Sequence, residues 1–151
     1  MSDSVSALDS TLRSIIEDVI PFNRHLGVKV EEIDRAGNRV SLAMPVQDAH
    51  IGNVVRRMPH GGVVAALVDA AAGAAAALTL DDLSRAPSVA TIDMRVDFVR
   101  PGRGASLRAD AEVMRSGRSV IVVRTEVFDD DGTLLALGSS AFTVERGGRA
   151  E

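Results

Sequence analysis

The hydrophobic pattern of the chain has a helical period near its start and then alternates residue by residue. Apolar side chains between residues 8 and 20 recur on one stripe of a helix, and Pro21 directly after them is expected to stop that helix. Apolar and polar residues alternate over residues 27–46, with a turn signal at Ala36-Gly37-Asn38 between the two halves. These patterns predict an N-terminal amphipathic helix followed by a β-hairpin.

Four further strands are predicted in the second half of the chain. Alternating or β-branched segments cover residues 91–98, 105–113, 119–128 and 134–144, and turn-forming residues separate them. The strands follow one another without intervening helices, so the sheet should be mostly antiparallel, with one helix against its face. The one-sided alternation of residues 91–98 and 105–113 implies one covered face, whereas the other face would meet solvent or a second subunit.

Between the hairpin and these strands lies a run from Gly61 to Leu80 that alanine, leucine and valine dominate, with Asp69 as its only charged residue. Such a composition predicts a helix that is buried nearly all round. The run is long enough to span a membrane, but a charge near its centre is expensive there, so a buried core helix is favoured. A carboxylate in that helix needs a partner, which is either a neighbouring arginine or part of a functional site.

The predicted helix follows His60 and begins with Gly61 and Gly62. Glycine lets another group approach the backbone, and the first turn of a helix has free N–H groups and a positive dipole end, which together suit a carbonyl oxygen that gains negative charge. A tight start of the helix is the structural alternative.

The spacing between Gly61 and Asp69 determines whether both residues of one chain can act on the same reacting group. They are eight residues apart, which is about 12 Å along a helix axis. Groups that act on one reacting centre must lie about 3–3.5 Å from it. If both residues act in catalysis, they therefore come from different subunits, and a two-fold dimer with antiparallel helices is required.

Composition narrows the class of protein. A chain of 151 residues is expected to form one domain. The net charge of −4 argues against a nucleic-acid partner, and the absence of cysteine excludes disulfides, a cysteine nucleophile and thiolate metal ligands. His25 and His50 have no metal-ligand spacing and are expected to be surface or loop residues, so no metal is predicted. The acidic N-terminus lacks signal-peptide features, and we expect a cytoplasmic protein without a membrane partner.

Four stretches of the chain carry a family resemblance: PFNRHLGVKVEEI, HGGVVAALVDAAAG, ATIDMRVDFVRPG and the closing strands to FTVER. They resemble the hotdog-fold thioesterases of the PaaI-like (phenylacetate-pathway) group over most of residues 21–145. The resemblance implies an α+β hotdog fold, in which a curved antiparallel sheet of about six strands wraps a long central helix, with an N-terminal helix in front. The expected hotdog domain covers residues 21–146, between an N-terminal segment 1–20 and a frayed tail 147–151.

By this resemblance the protein hydrolyses acyl- or aryl-CoA thioesters as a dimer or a dimer of dimers, with coenzyme A as part of the substrate and no further cofactor. Asp69 would be the general base or the nucleophile, the Gly61 N–H of the other subunit would polarise the thioester carbonyl, and His60 would position that carbonyl or its loop. Thr91 stands where many relatives carry a Ser or Thr that orients water or the carboxylate. An ordinary strand threonine is the alternative.

One departure from the family pattern concerns the loop before His60. Relatives often have an Asn six residues before the His, followed by a Gly, but here Val54 and Arg57 occupy these positions. Asn53 would take the Asn role through a different loop path, or it is a turn residue. The candidates for coenzyme A binding are Gly62 and three arginines near turns, which are otherwise ordinary solvated charges: Arg100, Arg103 and Arg118.

Two other functions are weighed against thioester hydrolysis. A hotdog acyl-thioester dehydratase or hydratase would typically use an acid/base pair such as Asp plus His, and the carboxylate at position 69 fits the thioesterase pattern better. A non-catalytic acyl-CoA-binding protein is the other alternative, because the expected Asn-x-x-Gly pattern is missing. The sequence does not define the acyl group: the alanines of residues 70–77 provide either room for an apolar chain or ring, or close helix–sheet packing.

Overall fold

The computed structural model describes residues 2–145, with side chains from residue 7 onward. Helix α1 spans Ser2–Ser14 and continues into a π-helical turn at Ile15–Val19, and a short helix α2 spans Pro21–Leu26. The N-terminal helix and its end before Pro21 are confirmed, since Ile20 is extended, but Pro21 also begins the separate helix α2, which the pattern does not predict. Proline suits that position because its fixed φ is helical and an N–H there would have no partner. The predicted frayed tail lies outside the described residues.

The strands of the described residues are β1 Lys29–Asp34, β2 Arg39–Pro45, β3 Ile51–Asn53, β4 Met58–Pro59, β5 Ala90–Phe98, β6 Ser106–Ser116, β7 Val120–Asp129 and β8 Leu134–Thr143. Six of them form one antiparallel sheet in the order β1-β2-β6-β7-β8-β5, and β3 pairs with β4 as a separate ribbon. The predicted hairpin is β1–β2, in which Val30 lies opposite Leu42. The four predicted C-terminal strands are β5 to β8.

Helix α3, Gly61–Leu78, is the central helix and contacts β2, β5, β6, β7 and β8. Its sheet-facing residues have no exposed surface: Leu67, Val68, Ala71, Ala72, Ala75 and Ala76. The packing is close at Gly138 of β8, where an added β-carbon would lie 2.5 Å from Val68 Cγ1. By length and composition α3 would be able to cross a membrane, but 56% of the segment is buried inside the structure, as in a core helix.

The loop predicted over residues 47–60 contains short regular elements. A 3₁₀ turn at Asp48–His50 precedes the β3–β4 ribbon. His50 lies in this loop, as expected, and its side chain is buried, with only 3% of its surface exposed. Its Nδ1 lies 3.2 Å from the Gln47 nitrogen and 3.1 Å from the Pro45 carbonyl oxygen, which ties the turn to the end of β2. A three-residue turn leaves no periodic signal in the sequence. His25 is exposed, as expected.

Strand β5 is a free edge of the six-stranded sheet, since β8 is its only neighbour there. The covered face predicted for residues 105–113 is confirmed in β6, where Leu107, Ala109 and Ala111 are buried. On β5, however, Ile92 and Phe98 are 56% and 57% exposed. A bulge between Thr91 and Asp93 shifts the register, and an edge strand covers less of its own apolar face.

Candidate active site

Asp69 lies near the middle of α3, and its carboxylate is held by a hydroxyl from the sheet. Thr91, near the start of β5, donates a hydrogen bond from Oγ1 to Asp69 Oδ1 at 2.8 Å. Asp69 is half-buried rather than enclosed on all sides, so the prediction of a helix buried nearly all round is wrong for this face. Within the described residues no arginine forms an ion pair with Asp69, and its structural partner is Thr91.

A cavity of about 280 Å³ opens beside Asp69. One side is the exposed face of α3, a second is the N-terminal segment, and the third is the end of the 3₁₀ turn Leu83–Ser88 together with the start of β5. Its walls are apolar apart from Asp69, Thr91 and Asn23. The Asn23 amide is engaged, because its Nδ2 donates to the Ile16 carbonyl oxygen at 3.1 Å. The polar part of the cavity wall without a partner elsewhere is therefore the Asp69–Thr91 pair.

The start of α3 presents a backbone N–H to solvent. His60 is the N-cap residue, and its Nδ1 accepts a hydrogen bond from the Gly62 N–H at 2.9 Å. The His60 carbonyl oxygen accepts from the N–H groups of Val63 and Val64. Among the hydrogen bonds of the described residues, none uses the Gly61 N–H. This group is the free donor that an oxyanion site requires.

Two residues that the sequence reasoning missed shape this turn. Gly52 of β3 passes so close to the N-cap that an added β-carbon would lie 2.8 Å from His60 Cα. The Phe98 ring packs over Gly61, and a β-carbon at Gly61 would meet its Cζ at 3.3 Å. The glycine in the sequence Ile51-Gly52-Asn53 is the only sequence signal for the first contact, because glycine often marks a close backbone approach. No local pattern predicts the second contact.

The structure keeps Gly61 and Asp69 apart within one chain. Both belong to α3, where they stand eight residues apart, about 12 Å along the helix axis. The face of α3 that carries Asp69 opens into the cavity, whereas Gly61 lines a separate cavity of about 390 Å³ with Phe98 and Arg100. Within one subunit, Gly61 and Asp69 therefore cannot contact the same small group.

The remaining candidates are spread over the molecule. Asn53 is exposed, and its Oδ1 accepts a hydrogen bond from the Arg56 N–H at 3.0 Å, which is the geometry of a turn residue. Arg100 lies beside Gly61, and Arg103 follows in the same exposed loop. Arg118 lies in the β6–β7 turn, at the opposite end of the sheet from these two arginines. The structure thus brings only Arg100 next to the α3 start.

Comparisons with known proteins identify the family of the chain. The sequence profile of the thioesterase superfamily matches residues 59–136. The medium/long-chain acyl-CoA thioesterase YigI of Salmonella typhimurium is 34% identical over 135 residues, which cover 83% of this chain and 86% of that protein. A solved structure from Shewanella oneidensis, related to the thioesterase superfamily, has a TM-score of 0.79 at 31% identity and covers 89% of this chain and 94% of its own.

A phenylacetic acid degradation-related protein of Ralstonia eutropha, proposed to be a thioesterase, has a TM-score of 0.76 at 25% identity, over 88% of this chain and 98% of its own. The chain belongs to the thioesterase superfamily. The hotdog fold and the family predicted from the sequence are confirmed, and the protein is an enzyme that hydrolyses thioesters.

Proposed function

We propose that the protein hydrolyses acyl-CoA thioesters at sites shared between two subunits, with Asp69 and Thr91 from one chain and the Gly61 N–H from the other. The observation that carries the proposal is the hydrogen bond between Thr91 and Asp69 at the polar end of an otherwise apolar cavity. An apolar acyl chain fits such a cavity, and its thioester carbonyl would lie beside the carboxylate. The family membership and the name of the YigI relative support a coenzyme A substrate.

Two chemical routes use this geometry. As a general base, Asp69 takes a proton from water while the water oxygen attacks the carbonyl carbon, and the proton then passes to the departing coenzyme A thiolate. As a nucleophile, Asp69 attacks the carbonyl itself, the thiolate leaves, and water hydrolyses the resulting anhydride. Both routes place negative charge on the carbonyl oxygen, which the free Gly61 N–H at the positive end of α3 would stabilise.

A homodimer completes the site. The β5 edge offers unpaired backbone groups and exposed apolar side chains to a second copy of the chain. In a two-fold dimer both subunits use the same surface, so every contact between the chains occurs twice. In such a dimer, antiparallel α3 helices would bring Asp69 of each chain to the Gly61 turn of its partner. Arg100, which lies beside Gly61, is then the arginine best placed for a coenzyme A phosphate.

The first test is the substitution Asp69→Asn. The asparagine keeps the shape of the side chain and still accepts the Thr91 hydrogen bond through Oδ1, but it cannot act as base or nucleophile. We expect kcat for acyl-CoA hydrolysis to fall by about 100-fold to 10,000-fold, measured as release of the free coenzyme A thiol. Size by light scattering and thermal melting should be unchanged.

Wild-type rates in Asp69→Asn would contradict the proposal. An enoyl-CoA assay on the same wild-type protein separates the hydratase alternative, since hydration consumes the double bond without releasing thiol. Tight binding of acyl-CoA with no thiol release by the wild type would favour the non-catalytic alternative.

A further inference from the structure

The cavity beside Asp69 is elongated along α3, because the α3 residues that line it run from Ala66 to Ala77. We propose that this cavity, here called the acyl channel, holds the acyl chain of the substrate, and that Gly73 and Ala77 set the chain length. The proposal rests on the thioester hydrolysis at Asp69 proposed above. It adds the direction of the acyl chain and the residues that limit it.

The floor of the acyl channel is one stripe of α3. Its members recur at helical spacing, and all except Asp69 are alanine or glycine: Ala66, Asp69, Ala70, Gly73, Ala74 and Ala77. The alanines on the other face, such as Ala71 and Ala75, are fully buried against the sheet. The alanines therefore serve close helix–sheet packing on one face of α3 and leave room for an apolar chain on another face. Small side chains on the face toward the N-terminal segment leave the space that the channel occupies.

The outer wall of the acyl channel is the N-terminal segment. Its apolar contributions are Leu12, Ile15, Ile16, Ile20 and Phe22. The segment is fixed to the hairpin, because the Glu17 carboxylate accepts a hydrogen bond from the Val30 N–H at 2.8 Å and pairs with Lys29 at 3.1 Å. Of the residues in this wall, Phe22 is 57% exposed to solvent and Leu12 is 1% exposed. The wall is thus open to solvent on the α2 side and closed on the α1 side.

The acyl channel is polar at Asp69 and apolar along α3 from Ala70 to Ala77. Measured from Asp69 at 1.5 Å per residue, Gly73 is about 6 Å away and Ala77 about 12 Å away along the helix axis. An extended alkyl chain advances about 1.3 Å per carbon, given a C–C bond of about 1.5 Å. A chain with its carbonyl at Asp69 would reach Gly73 after about five carbons and Ala77 after about nine. The channel therefore fits acyl groups of about eight to ten carbons.

The volume agrees with a single chain of this size. The 280 Å³ of the cavity is near the lower limit of about 300 Å³ for small-molecule sites. Each methylene that the channel removes from water should raise kcat/KM about fourfold. Wild-type kcat/KM is therefore expected to rise from butyryl-CoA to decanoyl-CoA and to stop rising beyond it.

The test blocks the channel at two depths. A β-carbon at Gly73 would make ordinary contacts with the Phe142 ring, at 3.6 Å and beyond, so Gly73→Ala is a mild control and Gly73→Leu fills the channel. We expect Gly73→Leu to retain butyryl-CoA hydrolysis and to lose about 100-fold or more on decanoyl-CoA. Ala77→Leu should retain octanoyl-CoA hydrolysis and lose about tenfold on decanoyl-CoA. Butyryl-CoA is the internal control for each variant.

A wild-type decanoyl-to-butyryl ratio in folded Gly73→Leu would overturn the proposal, and so would an equal loss at every chain length. Folding is checked by the melting transition. If Gly73→Leu does not fold, the proposal is tested with Ala77→Leu. A wild-type ratio of decanoyl-CoA to butyryl-CoA hydrolysis in that variant also overturns the proposal. Absence of hydrolysis by the wild type with every acyl-CoA would instead contradict the proposed function.

Discussion

At the scale of single residues, the chemistry depends on a few polar atoms with defined partners. The Thr91 hydroxyl donates to Asp69 Oδ1, and Oδ2 has no hydrogen-bond partner among the described residues, in a side chain that lines the cavity. The His60 imidazole holds the Gly62 N–H, so the free donor of the turn is the Gly61 N–H. Neutral His60 then carries its proton on Nε2, because Nδ1 is the acceptor.

The role of the Thr91 hydroxyl can be tested with a substitution and a matched control. Thr91→Val keeps the side-chain shape but leaves Asp69 without its donor, and a hydrogen bond to a charged group contributes about 1.5–3 kcal/mol. We expect kcat to fall about tenfold to 100-fold with a smaller change in KM. Thr125→Val is the control, since the Thr125 hydroxyl is buried and has no hydrogen-bond partner among the described residues. Equal kinetics of Thr91→Val and wild type would show that Thr91 is an ordinary strand residue.

Some of these residues can be identified from the sequence, whereas the contacts of others are known only from the fold. Asp69 is conspicuous because it is the one charge in an apolar run, and Gly61 because it starts that run. The pairing of Asp69 with Thr91 spans 22 residues, so it depends on how α3 lies on β5 and has no local signal apart from the family resemblance. The contacts of Gly52 and Phe98 with the turn arise from chain segments that meet only in the folded protein.

At the scale of elements, periodic segments are predictable and short ones are not. The hairpin strands and the four C-terminal strands are each six or more residues long, which is enough for an alternating or β-branched pattern to be recognised. The β3–β4 ribbon has strands of three and two residues, too short for alternation. The helix after Pro21 was missed because proline both ends a helix and favours the first position of the next one.

The attachment of the N-terminal segment should depend on pH through Glu17. Burial alone would raise the pKa of Glu17, but the hydrogen bond from the Val30 N–H and the ion pairs with Lys29 and Arg13 lower it below its ordinary value of 4.5. A carboxyl group with a lowered folded pKa stabilises the fold above its unfolded pKa, and this contribution is lost as the pH falls through the folded value.

We therefore expect Glu17→Gln to lower stability by about 1–2 kcal/mol at pH 7, and we expect this deficit to become smaller as the pH falls from 4.5 toward 3. Thermal melting of variant and wild type at several pH values measures this difference. The exposed pair of Arg39 and Glu112 supplies the control, because Glu112→Gln should cost less than about 1 kcal/mol at any pH. A Glu17→Gln deficit of the same size at pH 7 and pH 3 would contradict the assigned role.

At the scale of the whole molecule, the proposed site has two parts that the geometry of one chain keeps apart. The central helix carries the carboxylate at its middle and the free N–H at its start, about 12 Å away along its axis. That separation follows from the sequence spacing alone, and it predicts that a second subunit completes the site if both residues act in catalysis. The sequence does not define how the two copies meet, because the exposed β5 edge appears only in the folded chain.

Mixing two inactive variants tests this shared site most directly. Asp69→Asn removes the carboxylate, and Gly61→Pro removes the N–H while proline remains compatible with the first helical position. Gly61→Ala, which keeps the N–H, is the matched control for the added bulk against Phe98. After the two variants exchange subunits at random, half of the dimers are mixed, and each mixed dimer has one intact site of two. We predict recovery of about one quarter of wild-type thiol release, whereas no recovery in verified mixed dimers would contradict the account.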